Sequence, residues 1–247
     1  MDNFVDLRRD ADTLHIEMAR PAKRNALTAA MYAAMADGLA QAEADAGIRS
    51  VIFSGQGQGF CAGNDLNDFV ANPPDREDAP VFRFIHGLAA ATKVLIAAVQ
   101  GRAVGIGTTM LLHCDFVLAE ADAEFSLPFV DLALVPEAGS SLLLPALIGQ
   151  RRAAELLLLG EKLPASQAVS LGLVNRIVPQ GEALTEARAL AARLAEKPAG
   201  ALQATKALMK SEIRNLPARI DEETRVFAER LSSPELRSKV EAFFSRK

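Results

Sequence analysis

The chain has 247 residues, 50% of them hydrophobic and 23% charged, the balance of one large globular domain or of one domain with a small appendage. Its 27 Lys and Arg stand against 31 Asp and Glu, a net charge of −4, which argues against charge-driven binding to nucleic acid or an anionic membrane but leaves room for a local basic patch. Three His, two Cys, one Tyr and no Trp leave little for a metal cluster or a disulfide framework, so carboxylates and backbone groups are the chemical inventory.

Residues 4–7 and 14–18 alternate as two strands, with Asp10-Ala11-Asp12 as the hairpin turn. Arg20-Pro21-Ala22-Lys23-Arg24-Asn25 follows as a basic loop. Thr28 is placed to cap a helix rich in Ala and Met that runs to about residue 46. Residues 50–54 form a short buried strand, then a glycine-rich loop spans 55–68 and Asn72-Pro73-Pro74-Asp75 continues as loop. A helix is predicted over 81–91, the most apolar strand over 94–99, and a buried helix over 108–112 after a turn holding Gly101, Gly105 and Gly107. A strand over 115–119 follows, then helices over 142–148 and 151–159 and a strand within 172–178. From about residue 181 the chain reads as almost all helical, broken by Pro198 and Pro217. Short strands alternating with helices indicate an α/β protein. The change of texture divides it into a core over 1–190 and a helical C-terminal region over 191–247.

Cys61 and Cys114 have no neighbouring Cys and no metal-ligand spacing, so both are expected as reduced thiols, with no metal site. Met1 to Asp10 shows no apolar leader core, and no run approaches the ~18 apolar residues of a membrane span. Phe243-Phe244-Ser245-Arg246-Lys247 is not a Ser-Lys-Leu type address. The expectation is a cytoplasmic protein that engages neither membrane nor nucleic acid.

In Gly55-Gln56-Gly57-Gln58-Gly59-Phe60 the third glycine of a dinucleotide fingerprint falls on Phe60, so this stretch reads as a flexible turn. The sequence has no phosphate-binding P-loop and no Gly-x-Ser-x-Gly elbow. His15 lies in a strand, while His86 and His113 lie in apolar helical contexts; all three read as structural. Two glycine turns carry more. Phe60-Cys61-Ala62-Gly63-Asn64-Asp65-Leu66 and Gly101-Arg102-Ala103-Val104-Gly105-Ile106-Gly107 each follow an apolar strand. Such turns are common, but two of them can aim two free N–H groups at one oxygen, the makeup of an oxyanion hole. If Ile106 opens the buried helix, the helix dipole adds to its N–H. The third feature is Glu137 in Leu134-Val135-Pro136-Glu137-Ala138-Gly139-Ser140-Ser141. Either Pro136 and Glu137 begin the next helix, or Glu137 is a partly buried carboxylate whose proton affinity desolvation raises.

Taken in order, these segments resemble the crotonase (enoyl-CoA hydratase/isomerase) superfamily. The resemblance spans nearly the whole chain, through 20–27, 60–66, 97–115, 134–141 and 156–178. It implies a spiral of ββα turns with two roughly perpendicular sheets and a C-terminal helical region that assembles trimers or hexamers. It also implies an acyl-CoA thioester substrate and no separate cofactor. The thioester oxygen would be held by the backbone N–H groups of Asn64 and Ile106, after Gly63 and Gly105. Lys23, Arg24, Asn25, Ala26 and Leu27 match the segment that lines CoA, and Ala62 and Asp65 the backbone near the adenine. Hydratases of this superfamily use two glutamates where this chain has Thr109 and Phe129, so water addition by paired glutamates is not expected. The Pro136-Glu137 motif resembles the Δ3,Δ2-enoyl-CoA isomerase branch, in which this glutamate is the catalytic base. Thr109, Phe129 and Leu132 are then expected to line the acyl pocket. The alternatives are a hydratase or other acyl-CoA enzyme using another acid such as Asp131, an isomerase of a ring-derived acyl-CoA, and a non-catalytic acyl-CoA-binding module.

Overall fold

A computed structural model describes residues 4–72, 74, 78–210, 215–231, 233–236 and 238–239. Residues 243–247, with Pro73 and Asp75 of the expected loop, lie outside them. The chain opens with β1 (Val5–Asp10) and β2 (Thr13–Met18), an antiparallel hairpin, then a 3-10 turn over Pro21–Lys23. Helix α1 (Ala29–Ala44) starts where expected, because the Thr28 side chain accepts the N–H of Met31. Next come β3 (Ser50–Gly55), α2 (Leu66–Ala71), α3 (Pro80–Ala90), β4 (Val94–Val99), β5 (Arg102–Val104) and α4 (Ile106–Thr109). A 3-10 turn over Met110–His113 extends α4, and β6 (Phe116–Glu120) and β7 (Glu124–Ser126) follow. After a 3-10 turn at Val130–Leu132 come α5 (Ser140–Ile148), α6 (Gln150–Leu158), β8 (Leu163–Pro164), α7 (Ala165–Ser170) and β9 (Arg176–Val178). The chain then runs through α8 (Ala183–Ala195), α9 (Ala199–Lys210) and α10 (Leu216–Leu231).

Two sheets result. The larger has the order β1-β2-β3-β4-β6-β9 and is parallel from β2 onward; the smaller has the order β5-β7-β8. Alternation sorts the larger sheet's side chains onto two faces. Leu14, Ile16, Phe53, Leu95, Ala97 and Val117 face the main core with α1 and α3. Ile52, Ile96, Ala98 and Leu118 face the other way, onto Ala183, Ala187 and Leu190 of α8. Fully burying a large aliphatic or aromatic side chain is worth about 1.5–3 kcal/mol, so both faces bind their helices firmly.

Three details differ from the sequence expectation. Strands β5, β7 and β8 of the second sheet are not placed by the sequence, since strands of two or three residues show no periodicity. Helix α2 occupies the end of the expected glycine loop, because the Asp65 side chain accepts the N–H groups of Asn67 and Asp68 and starts a helix there. Helix α8 runs unbroken across residue 190. The expected division of the C-terminal helices holds: Pro198 precedes α9, and Pro217 sits in the first turn of α10, as proline's missing N–H allows.

Candidate active site

Two isolated parallel bridges draw the two glycine turns together. Cys61 pairs with Ala103: its N–H donates to Arg102 O (3.1 Å), and Val104 N–H donates to its carbonyl (2.9 Å). Leu27 pairs with Asn64 through bonds from Leu27 N–H to Gly63 O (2.8 Å) and from Asp65 N–H to Leu27 O (2.8 Å). In a parallel bridge the flanking residues supply the bonds, so the N–H of Asn64 itself points away from Leu27. Ile106 is the first residue of α4, where the N–H has no partner within the helix. Among the described residues neither N–H has a protein acceptor. The two turns thus lie side by side, each with a free donor.

Glu137 reaches the same place from the segment before α5. Helix α5 begins only at Ser140, so Glu137 is not a helix-opening residue. It is 8% exposed, and its Oε1 accepts a hydrogen bond from Thr109 Oγ1, three residues after Ile106. Burial pushes its carboxyl up from 4.5 to about 8; the Thr109 bond pulls the other way and the nearby Glu223 carboxylate adds to the rise. Burial raises the acidic groups of Tyr32 and Cys61, and the Glu137 charge adds to both. Tyr32 Oη donates to Asn64 Oδ1 at 2.5 Å, tying α1 to the first glycine turn.

The other expected site residues separate by role. Phe129 is buried and lies about 4.0 Å from where a side chain on Gly105 would start, against the second turn. Leu132 packs at the edge of the main core. Asp131 is exposed and lies against Gly160. Leu27, with Ala29, Tyr32, Phe69, Ala79 and Val81, lines a cavity of about 500 Å³ between α1, α2 and α3. Lys23 and Arg24 are exposed, and among the described residues neither pairs with an acid. Ala26 O accepts from Arg20 Nη1 (3.0 Å), and Ala62 N–H donates to Arg24 O (3.0 Å). The Asp65 carboxylate pairs with Arg20 at 2.6 Å; this bond and the α2 N–H groups hold it below the usual carboxylate range against the opposing effect of burial.

Several buried residues support the site through bonds that the sequence does not show. Asn25 is fully buried; its Oδ1 accepts Arg20 N–H (2.9 Å) and its Nδ2 donates to Gln56 O, Gly59 O and Phe60 O, which pins the basic loop to the first glycine turn. His113 Nε2–H donates to Ala138 O (2.8 Å), and burial lowers the ring to about 4, so it stays neutral. Burial raises Cys61 and Cys114 to about 12, and both are free thiols. Among the described residues there is no group of acids, His and Cys arranged to hold a metal, and no helix long and apolar enough to cross a membrane.

A fold of this kind, with two glycine turns bridged side by side and a buried carboxylate bonded to the helix that the second turn opens, defines a crotonase-type acyl-CoA enzyme. The family model for enoyl-CoA hydratase/isomerase matches residues 8–247, and the chain belongs to that family. It is 34% identical to 1,2-epoxyphenylacetyl-CoA isomerase of Escherichia coli, over 100% of this chain and 97% of that one. It is 35% identical to enoyl-CoA delta isomerase 2 of Rattus norvegicus, over 94% of this chain and 61% of the longer rat protein. Among solved structures, OdaA of Pseudomonas aeruginosa superposes with a TM-score of 0.95 at 42% identity, covering 98% of this chain and 99% of its own.

Proposed function

We propose that the protein is a Δ3,Δ2-enoyl-CoA isomerase, moving the double bond of a 3-enoyl-CoA into conjugation. The observation that carries this reading is the buried Glu137 carboxylate, bonded to Thr109, with Thr109 and Phe129 standing where a pair of glutamates would be needed and the nearby Glu223 carboxylate occupied by Gly139 and Ser141 N–H groups. The thioester oxygen accepts from the N–H groups of Asn64 and Ile106, which makes the C2 protons acidic. Glu137 takes one of them, and the C2–H electron pair delocalises into a dienolate whose charge rests on the thioester oxygen. Preorganised donors of this kind are each worth roughly 10²–10³ in rate. Glu137 then returns the proton at C4, the double bond settles between C2 and C3, and the carboxylate is regenerated. A carboxyl near 8 is a stronger base than an ordinary glutamate, close to the pH at which it works. The steps call on no metal or redox group.

The exposed cations of Lys23 and Arg24 suit the CoA phosphates, while Ala26, Leu27, Ala62 and Asp65 present backbone alongside them. Residues 191–247 are proposed to assemble copies into a trimer or a pair of trimers. Supporting this, Leu208 and Met209 of α9 stand 74% and 71% exposed, an uncommon amount of large apolar side chain in solvent.

The test is to add the protein to 3-enoyl-CoA thioesters of several chain lengths and follow the absorbance of the conjugated product. Turnover lost in Glu137→Gln with acyl-CoA binding kept supports the reading; inactivity of the wild type on every chain length removes it. One observation favours a second reading, isomerisation of a ring-derived acyl-CoA: the E. coli relative, matched over the whole chain, is named for 1,2-epoxyphenylacetyl-CoA. The same screen with that substrate separates the two.

A further inference from the structure

Glu137 is carried on a turn that the chain does not hold by itself. Ala138 and Gly139 both have left-handed backbones (φ 58° and 70°), which costs energy at Ala138 and must be held by surrounding contacts. One support is the bond from His113 to Ala138 O. The other comes from α10, far along the chain. Gly139 N–H donates to Glu223 Oε2 at 2.6 Å, and Ser141 N–H donates to Glu223 Oε1 at 2.9 Å. Each carboxylate oxygen takes one of the two N–H groups. Glu223 is 6% exposed, and Gly139 is in tight contact with α10: a Cβ there would sit 2.4 Å from Leu216 Cδ1. A buried carboxylate is expensive to keep, and hydrophobic residues would pack α10 at lower cost.

We propose that Glu223 is a positioning residue for Glu137, holding through Gly139 and Ser141 the turn that aims Glu137 at the two oxyanion donors. The C-terminal helix α10 is thereby part of the active site. The inference rests on the reading of Glu137 as the catalytic base.

The charge of Glu223 adds a second effect, since it favours the protonated form of Glu137. The other groups facing Glu137 are Thr109 from α4, Tyr32 from α1 and Cys61 from the first glycine turn; the two titratable ones stay neutral. His113 acts at Ala138 and is itself neutral, with Lys206 and Lys210 nearby. Burial raises the Glu223 carboxyl, while its bonds to Ser141 and Gly139 and the Arg219 charge favour its charged form. Glu223 is therefore the charged group that bears on the base.

The experiment compares Glu223→Gln and Glu223→Asp with the wild type, with folding checked by circular dichroism. Gln keeps the size but removes the charge and turns a donor toward one of the two N–H groups. Its kcat should fall about 10- to 100-fold with KM nearly unchanged, the cost of a misplaced catalytic group. The acid limb of its pH profile should also move to lower pH. Asp keeps the charge and shortens the reach, so kcat should fall while the limb stays. A parallel infrared titration of the Glu137 carboxyl, assigned by its loss in Glu137→Gln, reads the coupling without turnover. An inactive wild type whose Glu137 titration still shifts in Glu223→Gln overturns the isomerase reading and leaves the Glu223 coupling standing. Wild-type kcat, limb and titration in a folded Glu223→Gln would make Glu223 a helix cap and overturn the proposal. Should that variant not fold, wild-type kcat in Glu223→Asp overturns it equally.

Discussion

The Thr109 hydroxyl donates to Oε1 of Glu137, which joins the helical turn opened by Ile106 to the segment carrying the buried acid. One donor of the oxyanion pair and the base are therefore held through a single turn of helix. The bond favours the charged form of Glu137, against its burial. In Thr109→Val the shape is kept and the donor is lost. The Glu137 carboxyl should titrate higher, the acid limb of kcat/KM should move up, and activity at neutral pH should fall about 10-fold. Thr109→Ser should restore most of it. A pH-rate profile that is the same for Val and wild type would show that Thr109 merely packs.

The raised Glu137 carboxyl also predicts how stability changes with pH. In the folded chain Glu137 keeps its proton up to about pH 8, whereas the unfolded chain releases it near 4.5. Between those values the folded state binds more protons, so stability falls as pH rises, and the cost is fully present above 8. Glu137→Gln lacks this penalty. Its stability relative to wild type should rise from pH 5 to pH 9, by on the order of a few kcal/mol at the alkaline end. Urea denaturation at several pH values measures it, and a difference independent of pH would contradict the burial account.

Much of this architecture is readable before any coordinates. Leu14 to Met18 and Val94 to Val99 announce their strands through apolar character that each strand buries, and Thr28 announces the start of α1 through its capping oxygen. The turns at Asn64 and Ile106 are visible because glycine marks where backbone must come close, although only the resemblance attaches them to an acyl-CoA. What stays hidden is tertiary. Strands β5, β7 and β8 are too short to carry a pattern, yet β5 brings Cys61 and Ala103 together. Glu223 reads locally as one acid on a charged helix face; its bond to Gly139 spans 84 residues that no local rule connects. Tyr32 reads as one aromatic in an Ala-rich helix, and its hydroxyl finds Asn64 only after folding.

That bond separates two kinds of contribution from Asn64. The proposed donor is its backbone N–H, while its side chain serves Tyr32 at 2.5 Å. Removing the side chain should then cost far less than removing the base. Asn64→Ala and Tyr32→Phe are each expected to lower kcat by at most ~10-fold through looser positioning, against ~10³-fold for Glu137→Gln. A loss in Asn64→Ala as large as that of Glu137→Gln would assign the chemistry to the amide side chain instead.

Spacing between the two donors can be tested without touching either. Gly107 follows Ile106, and a Cβ there would sit 2.7 Å from Cys61 O and 2.8 Å from Cys61 Cβ, closer than atoms tolerate. Because Cys61 belongs to the turn that ends at Asn64, Gly107→Ala must relieve the contact by moving one turn from the other. Such overpacking should cost about 1–3 kcal/mol of stability. The proposed oxyanion donors, the N–H groups of Asn64 and Ile106, would then be pulled apart, and kcat should fall by ~10²-fold while CoA binding, proposed to rest on the loop at Lys23 and Arg24, changes little. Gly200→Ala is the control: it lies exposed on α9 with nothing within 4 Å of the added methyl, so it should leave kcat alone and stabilise the chain by about 0.5–1 kcal/mol. Equal kcat in the two variants would show that the gap between the turns does not govern the reaction.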